Sequence, residues 1–125
     1  MSQKIWEING LSLELDLEDA DCMERYENAF EKMSEEEKQI PKDGKYSAII
    51  RAYCRLFRDL YDRIFGEGTS EKLFKGIPEN TDSYNKVYCE FLDFVTAQRT
   101  TTAKKRAEIL SKYRPNRQQR RNKKT

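Results

Sequence analysis

The chain has 125 residues, enough for one domain with a modest hydrophobic core and too few for a second independent domain. It contains no histidine, so the commonest general base and zinc ligand are missing, and most familiar hydrolytic sites are excluded. The net charge of +2 conceals an acidic body, residues 1–103 with 14 basic and 21 acidic side chains (−7), and a cationic end, residues 104–125 with 10 basic and one acidic side chain (+9).

A β-hairpin is predicted at the N-terminus. Apolar and polar residues alternate over residues 4–8 and again over residues 11–17. Asn9 and Gly10 lie between these segments, and both tolerate the positive φ of a two-residue hairpin turn. A lone hairpin is marginally stable, so we expect it to pack against helices.

Two amphipathic helices are predicted next. Asp19 is suited to cap a helix that runs to about Lys38, and Pro41–Gly44 then interrupts the pattern. The second helix, residues 46–65, has the clearest apolar periodicity in the chain and is predicted to form the centre of the core. Its stripe comprises Tyr46, Ile50, Tyr53, Phe57, Leu60 and Ile64.

The C-terminal half contains a short helix and a long one. Gly66 ends the second helix, and a short helix is predicted from Thr69 or Ser70 to Gly76. The last helix starts near Thr81 or Asp82 and is apolar on one side. We expect it to bend or fray after residues 100–102, with a polar helical continuation over residues 103–113 that ends before Pro115.

These elements predict a mainly α fold, with an N-terminal β-hairpin packed on a bundle of three to four helices. Residues 1–113 form the domain. Residues 114–125 form a basic C-terminal tail, which we expect to be disordered when free because it has no apolar residue to bury. The apolar content is low at 37%, so a second copy of the chain is an expected partner for surface that the thin core leaves open.

The cysteine pattern and the N-terminal sequence indicate the cellular compartment of the protein. Cys22, Cys54 and Cys89 fall in helical segments and form no Cys-x-x-Cys pair, so we interpret them as reduced, buried core residues and predict no metal or other cofactor. The first ten residues lack the apolar core of a signal peptide, and no apolar run approaches a bilayer span. We therefore expect a cytoplasmic protein without membrane contact.

Two segments imitate ligand sites. The glycine pair at residues 66–68 precedes a helix, as in phosphate loops, but it lacks the preceding strand and the Lys-Ser/Thr pair, so a joint between helices is favoured. The acidic cluster at residues 16–21 lacks the glycine and the terminal glutamate of a calcium loop, so a solvated helix N-terminus is favoured.

The aromatic residues and the tail offer surfaces for binding. The helical spacing of the aromatics favours a core role over a base-stacking platform, but tyrosines also mark protein interfaces, and Tyr53, Tyr61 and Tyr88 are the predicted packing contacts. In the tail, Arg117, Arg120 and Arg121 would contact an acidic partner or, folded as a helix, RNA. A merely solubilising terminus is the alternative for the tail.

Three stretches resemble one family: EINGLSLELDLEDADCMERYENAF (residues 7–30), FGEGTSEKLF (residues 65–74) and YRPNRQQRRNKK (residues 113–124). Through them the chain resembles a family of small, uncharacterised proteins of phages and prophages of Gram-positive bacteria. The resemblance implies a gene among those for tail morphogenesis, a bacterial host and no assigned activity. The hairpin, helices and polar tail are also similar to tail assembly chaperones, which coat the tape measure protein.

Two functions follow as hypotheses. The first is a non-enzymatic tail assembly factor, similar to a chaperone, that binds the tape measure or tail tube protein in the host cytoplasm, with association with the virion left open. The second is a small prophage RNA- or DNA-binding protein in which the tail binds and the body only dimerises. An enzyme is not expected.

Overall fold

The computed structural model describes residues 4–113. Two strands and four helices follow one another in the order β1 (Ile5–Ile8), β2 (Leu11–Glu14), α1 (Ala20–Lys38), α2 (Tyr46–Phe65), α3 (Thr69–Leu73) and α4 (Thr81–Tyr113). The prediction of a mainly helical chain with an N-terminal hairpin is confirmed. The predicted disorder of the tail, residues 114–125, lies outside the described residues.

The hairpin forms as its turn residues predict. The strands pair antiparallel, with Trp6 opposite Leu13 and Ile8 opposite Leu11. Asn9 has φ 49° and Gly10 has φ 77°, the two positive values that a tight type I′ turn requires. The Asn9 side-chain amide donates a hydrogen bond of 2.9 Å to the carbonyl of Leu73, which fixes the turn to α3.

Trp6 joins the hairpin to the helices. Its side chain is 5% exposed, and its ring lies 5.2 Å from that of Phe91 on α4 and 5.9 Å from that of Tyr61 on α2, centroid to centroid. The ring of Phe65 is 6.2 Å away and that of Phe94 is 6.4 Å away. Because aromatic side chains bury large areas, this cluster is the principal packing contact between the strands and two helices.

Gln98 supplies a polar contact between the hairpin and α4 that the apolar pattern does not show. Its buried side-chain amide donates to the carbonyl of Leu15 at 2.8 Å, and its amide oxygen accepts from the N–H of Leu17 at 2.7 Å. Buried backbone N–H and carbonyl groups that are not paired within a strand need other hydrogen-bond partners. The Gln98 side chain on α4 therefore supplies the hydrogen bonds that the backbone lacks after the end of β2.

α1 packs against α2, and a polar contact holds each end of α1. Asp19 caps α1, as predicted, by accepting a hydrogen bond of 3.0 Å from the N–H of Cys22. Near the other end, Arg63 donates to Glu36 at 2.6 Å. This bond places the C-terminal part of α1 against the C-terminal half of α2.

α3 is fixed to α2 by one carboxylate. Asp62 accepts hydrogen bonds from both the N–H and the hydroxyl of Ser70, at 2.8 and 2.9 Å. Between the two helices, Gly66 and Gly68 have φ of 116° and 86°, a region that disfavours other residues. The glycine pair is thus a joint between helices, as predicted.

α4 is longer than the core. It continues without interruption through residues 100–102, and its 33 residues span about 50 Å. Its buried positions end at Gln98, and residues 103–112 are all exposed, including Ile109 at 53% and Leu110 at 43%. The last 10 to 15 Å of the helix therefore extend beyond the packed body.

Two residues predicted in the core are on the surface. Tyr46 was placed on the apolar stripe of α2 but is 81% exposed, because α1 covers a later part of α2 and leaves its first turn open. Cys89 was expected to be buried but is exposed, because it lies two residues from the buried Val87 and so faces away from the core. Cys22 and Cys54 are buried, as predicted.

Gln98→Leu should destabilise the fold by about 2–3 kcal/mol, because it leaves a carbonyl and an N–H without their partner at the exit of β2. Urea unfolding followed by the fluorescence of Trp6, the single tryptophan, measures the change. The control is Thr96→Leu at an exposed position of α4, which should stay within about 0.5 kcal/mol of the parent. Equal stability of the two variants would contradict the role of Gln98.

Glu36→Gln should lower stability at pH 7 and not in acid. The Arg63 hydrogen bond lowers the pKa of Glu36 below its ordinary value of 4.5 in the folded state, so its contribution is present above pH 4.5 and lost as pH falls through the lowered pKa. The pair is about one-third exposed, so we expect a loss of about 0.2–1 kcal/mol at pH 7. Urea unfolding of both chains from pH 7 to pH 3 checks this, and a pH-independent difference would contradict it.

Candidate protein-binding groove

An open groove lies where α1 ends and α2 begins. It has a volume of about 580 Å³. Its apolar wall comprises Ile40, Pro41, Tyr46, Ile49 and Tyr53, and its polar lining comprises Ser34, Glu37, Lys38 and Lys42. We call this the α1–α2 groove.

Local sequence explains why the groove stays open. The N–H of Ile40 donates to the carbonyl of Glu37 at 3.2 Å. After this turn Ile40 and Pro41 lie beside the start of α2, where Ile40 is partly buried against the core and also lines the groove. Gly44, at φ 119°, then lets the chain enter α2. The N-cap of α2 is Lys45, which makes no side-chain capping bond, so the first turn is held only by backbone contacts.

One face of α2 supplies the groove's aromatic wall. Tyr46, Ile49 and Tyr53 are spaced by three and four residues, so they share one side of the helix. Tyr46 is the most exposed large hydrophobic side chain among the described residues, and Tyr53 is half-buried. An apolar centre with charged residues at its edge is the usual composition of a protein interface.

Of the six predicted contact residues, the structure describes the three tyrosines, and each lies in a different environment. Tyr53 lines the groove. Tyr88 is half-buried on α4, with its ring 5.1 Å from that of Phe57, and it does not line the groove. Arg117, Arg120 and Arg121 lie outside the described residues, so their role remains a prediction.

Tyr61 is a correction to the predicted contacts. It is 0% exposed and packs against Trp6, Phe74 and Phe91, so it has no surface to offer a partner. Burial raises the pKa of its phenol far above the ordinary range, so it is neutral at any physiological pH. The helical spacing that places Tyr53 and Tyr61 on α2 does not distinguish its exposed start from its buried end.

Electrostatics connects Tyr88 with the groove edge. Burial is the main cause that raises the pKa of the Tyr88 phenol, and Tyr26 and Glu37 raise it further. Glu37 also lines the groove, so the Tyr88 phenol lies within electrostatic range of that edge.

Most of the groove was not predicted from the sequence. Pro41–Gly44 was interpreted only as a break between helices, and Tyr46 was predicted to lie in the core. One feature of the sequence could have indicated the groove. Tyr46 and Ile49 come soon after that break, in the first turn of a helix, which the neighbouring helix often leaves uncovered. Ile40 and Pro41 give no signal of their own until the chain direction after α1 is known.

Within residues 4–113, no cluster of three or more cysteine, aspartate or glutamate side chains is arranged to hold a metal ion. No helix in that range combines the length and apolarity that crossing a bilayer requires.

A family model matches residues 9–124, nearly the whole chain. The chain belongs to DUF6673, a family of unknown function. The searches of curated proteins and of solved structures gave no match. Membership of DUF6673 therefore assigns no activity, and the function has to be argued from the surfaces of this chain.

Tyr61→Phe should keep or raise stability, by up to about 1 kcal/mol, because the Tyr61 hydroxyl is buried with no hydrogen-bond partner among the described residues. Tyr46→Phe is the matched control, since its hydroxyl lies on an exposed side chain and its loss should be neutral. Thermal unfolding of the two variants measures the difference. A clear destabilisation by Tyr61→Phe would show that the hydroxyl has a partner.

Proposed function

We propose that this chain is a non-enzymatic assembly factor of a phage or prophage tail, similar to a tail assembly chaperone. It holds an apolar stretch of another tail protein, the tape measure or the tail tube protein, in the α1–α2 groove. No bond is made or broken in the partner. The resemblance of residues 7–30, 65–74 and 113–124 to phage proteins supports the tail context.

The observation that carries the proposal is the exposure of Tyr46 within an apolar groove. A single exposed apolar side chain needs no explanation, but Tyr46 is 81% exposed beside Ile40, Ile49 and Tyr53. Covering these side chains would remove apolar surface from water, and this is the main driving force of protein association. The groove is therefore the described surface best suited to an apolar partner segment.

The charged edge of the groove defines the partner further. Glu37, Lys38 and Lys42 carry both signs, so the edge favours no strongly charged ligand. A partner helix with an apolar stripe and mixed polar flanks fits this arrangement, as in other complexes in which a helix lies in a groove. Long helical proteins such as a tape measure present such stripes before assembly covers them.

The test is recovery of tail proteins by tagged chain from induced or infected host cells. Wild type and a chain truncated after residue 113 should both recover tape measure or tail tube protein, because the groove lies within the body. Tyr46→Glu should lose it, since a buried carboxylate in the complex is costly and the free chain is unaffected at an exposed position.

The matched control is Ile109→Glu, which places the same charge at another exposed apolar position, on α4. It should recover the partner at the wild-type level. Equal recovery by Tyr46→Glu and wild type, or recovery of no tail protein by any chain, would contradict the proposal.

A second function, nucleic-acid binding, is favoured by the extension of α4. Lys104, Lys105, Arg106 and Lys112 are exposed on the part of α4 that projects beyond the core. The predicted contacts Arg117, Arg120 and Arg121 follow directly in sequence. A cationic helix that projects from an acidic body can reach phosphates without bringing the body's negative charge close to them.

Binding of single-stranded RNA, measured by fluorescence anisotropy, separates this second function from the first. If the cationic end binds, affinity should fall by orders of magnitude between about 50 and 200 mM salt and should drop sharply in the chain truncated after residue 113. Tyr46→Glu should then bind RNA as wild type does. RNA binding that survives both salt and truncation would rule out the cationic end as the site.

A further inference from the structure

A row of arginines lies on one face of α2, away from the α1–α2 groove's aromatic wall. Arg51, Arg55 and Arg58 are spaced by four and three residues, so they share a side of the helix. With Ala48 and Ala52 between them, they line an open trough of about 530 Å³ that ends at Glu79. We call these three side chains the arginine row.

The described chain neutralises this positive charge only in part, although Asp59 lies within electrostatic range of Arg55. Arg58 forms a salt bridge of 2.9 Å with Glu79. Arg51 and Arg55 form no salt bridge with any carboxylate of residues 4–113. The small alanine side chains leave space beside these two guanidinium groups, and guanidinium groups bind carboxylates well. The trough is therefore suited to an anionic partner.

α1 presents the complementary feature. Glu24, Glu27 and Glu31 are exposed and spaced by three and four residues, so they share one face of α1. None of these three carboxylates forms a salt bridge within the described range. We call them the glutamate row.

The spacings of the two rows match more closely in an antiparallel alignment than in a parallel one, by one residue rise of about 1.5 Å. At a rise of about 1.5 Å per residue, Arg51 to Arg55 and Glu31 to Glu27 each span about 6 Å. Arg55 to Arg58 and Glu27 to Glu24 each span about 4.5 Å. When the glutamate row is laid antiparallel to the arginine row, Arg51 faces Glu31, Arg55 faces Glu27 and Arg58 faces Glu24. In a parallel alignment, the spacing of about 6 Å in one row would lie opposite the spacing of about 4.5 Å in the other.

The glutamate row cannot be the partner of the arginine row within one chain. Arg63 binds Glu36, which fixes the C-terminal part of α1 beside the C-terminal half of α2. Along the axis of α1, Glu31 lies about 8 Å and Glu24 about 18 Å from Glu36, toward the N-terminus of the helix. The glutamate row is therefore distant from the contact between Glu36 and Arg63. It also forms no salt bridge with α2 of the same chain in the described residues.

We propose that a second copy of this chain docks here, with its α1 lying antiparallel along the arginine row of the first. Every copy carries both rows, so the same contact can form twice in a closed two-fold dimer or once per subunit in an open chain of copies. The inference does not depend on the tail-assembly proposal, because it uses a different surface from the α1–α2 groove.

The contact should be weak and sensitive to salt. The paired side chains are mostly exposed, and exposed ion pairs contribute little individually and are screened by salt. We therefore expect association that rises with protein concentration at low ionic strength and falls by at least about tenfold in association constant at 0.5 M salt.

A charge swap in the full chain tests the inference. Sedimentation equilibrium at low salt compares wild type with Arg55→Glu, Glu27→Arg and the double variant that carries both. Each single reversal replaces an attraction with a repulsion and should weaken self-association by at least about tenfold. The double variant restores the pair with its signs exchanged and should return to within about threefold of wild type.

The control is Lys72→Glu, an exposed charge reversal on α3, which should associate as wild type does. Circular dichroism confirms that every variant keeps its helices. A monomeric wild type, a single reversal without effect, or a double variant that stays as weak as the singles would each overturn the inference. If Arg55→Glu instead abolishes RNA binding and the swap restores nothing, the arginine row serves phosphates and not a second copy.

Tyr46→Glu separates the two proposals. It alters the α1–α2 groove and not the two charged rows, so its self-association should equal that of wild type. Loss of tail-protein recovery with unchanged self-association would show that the two surfaces act independently. The charge swap can fail while the groove variant behaves as proposed, so failure of one proposal is distinguishable from failure of the other.

Discussion

The fold depends on the packing of Trp6 against the aromatic rings of α2 and α4. Two four-residue strands cannot form a stable unit alone, so the hairpin exists because Trp6, Ile8 and Leu15 enter the helical core. Trp6 in turn completes a cluster that holds Tyr61 and Phe91 together. Gln98 closes the same junction with two hydrogen bonds to the backbone. The core and the hairpin therefore form one interdependent unit.

This use of aromatic residues determines which surfaces remain for partners. The core takes up the aromatics in the second half of α2 and the first half of α4, and leaves apolar side chains open mainly at the start of α2 and the end of α4. The first of these openings is the α1–α2 groove. The charged surfaces are separate from it, because the arginine row and the glutamate row face outward on α2 and α1. The proposed groove contact and the proposed contact between charged rows therefore use separate surfaces.

Much of the fold was predictable, because local rules decide it. The Asn9-Gly10 turn, the Asp19 cap, the periodicity of α2 and the glycines after it each specify structure within a few residues. The surfaces were less predictable because they depend on how far one helix covers another. Periodicity alone does not tell whether Tyr46, Tyr53 and Tyr61 lie in the core or on the surface. Tertiary packing separates them, because elements distant in sequence bury Tyr61 and leave Tyr46 open. Gln98 was missed for a related reason, since its partners are 81 and 83 residues away in sequence.

Amide hydrogen exchange on the chain, alone and bound to the tail protein it recovers, tests the central claim most directly. In the free chain the start of α2 should exchange quickly, because no side chain caps it and Tyr46 lies open to water. Binding in the α1–α2 groove predicts new protection concentrated in residues 37–53. Protection confined to residues 104–125, with residues 37–53 unchanged, would contradict it.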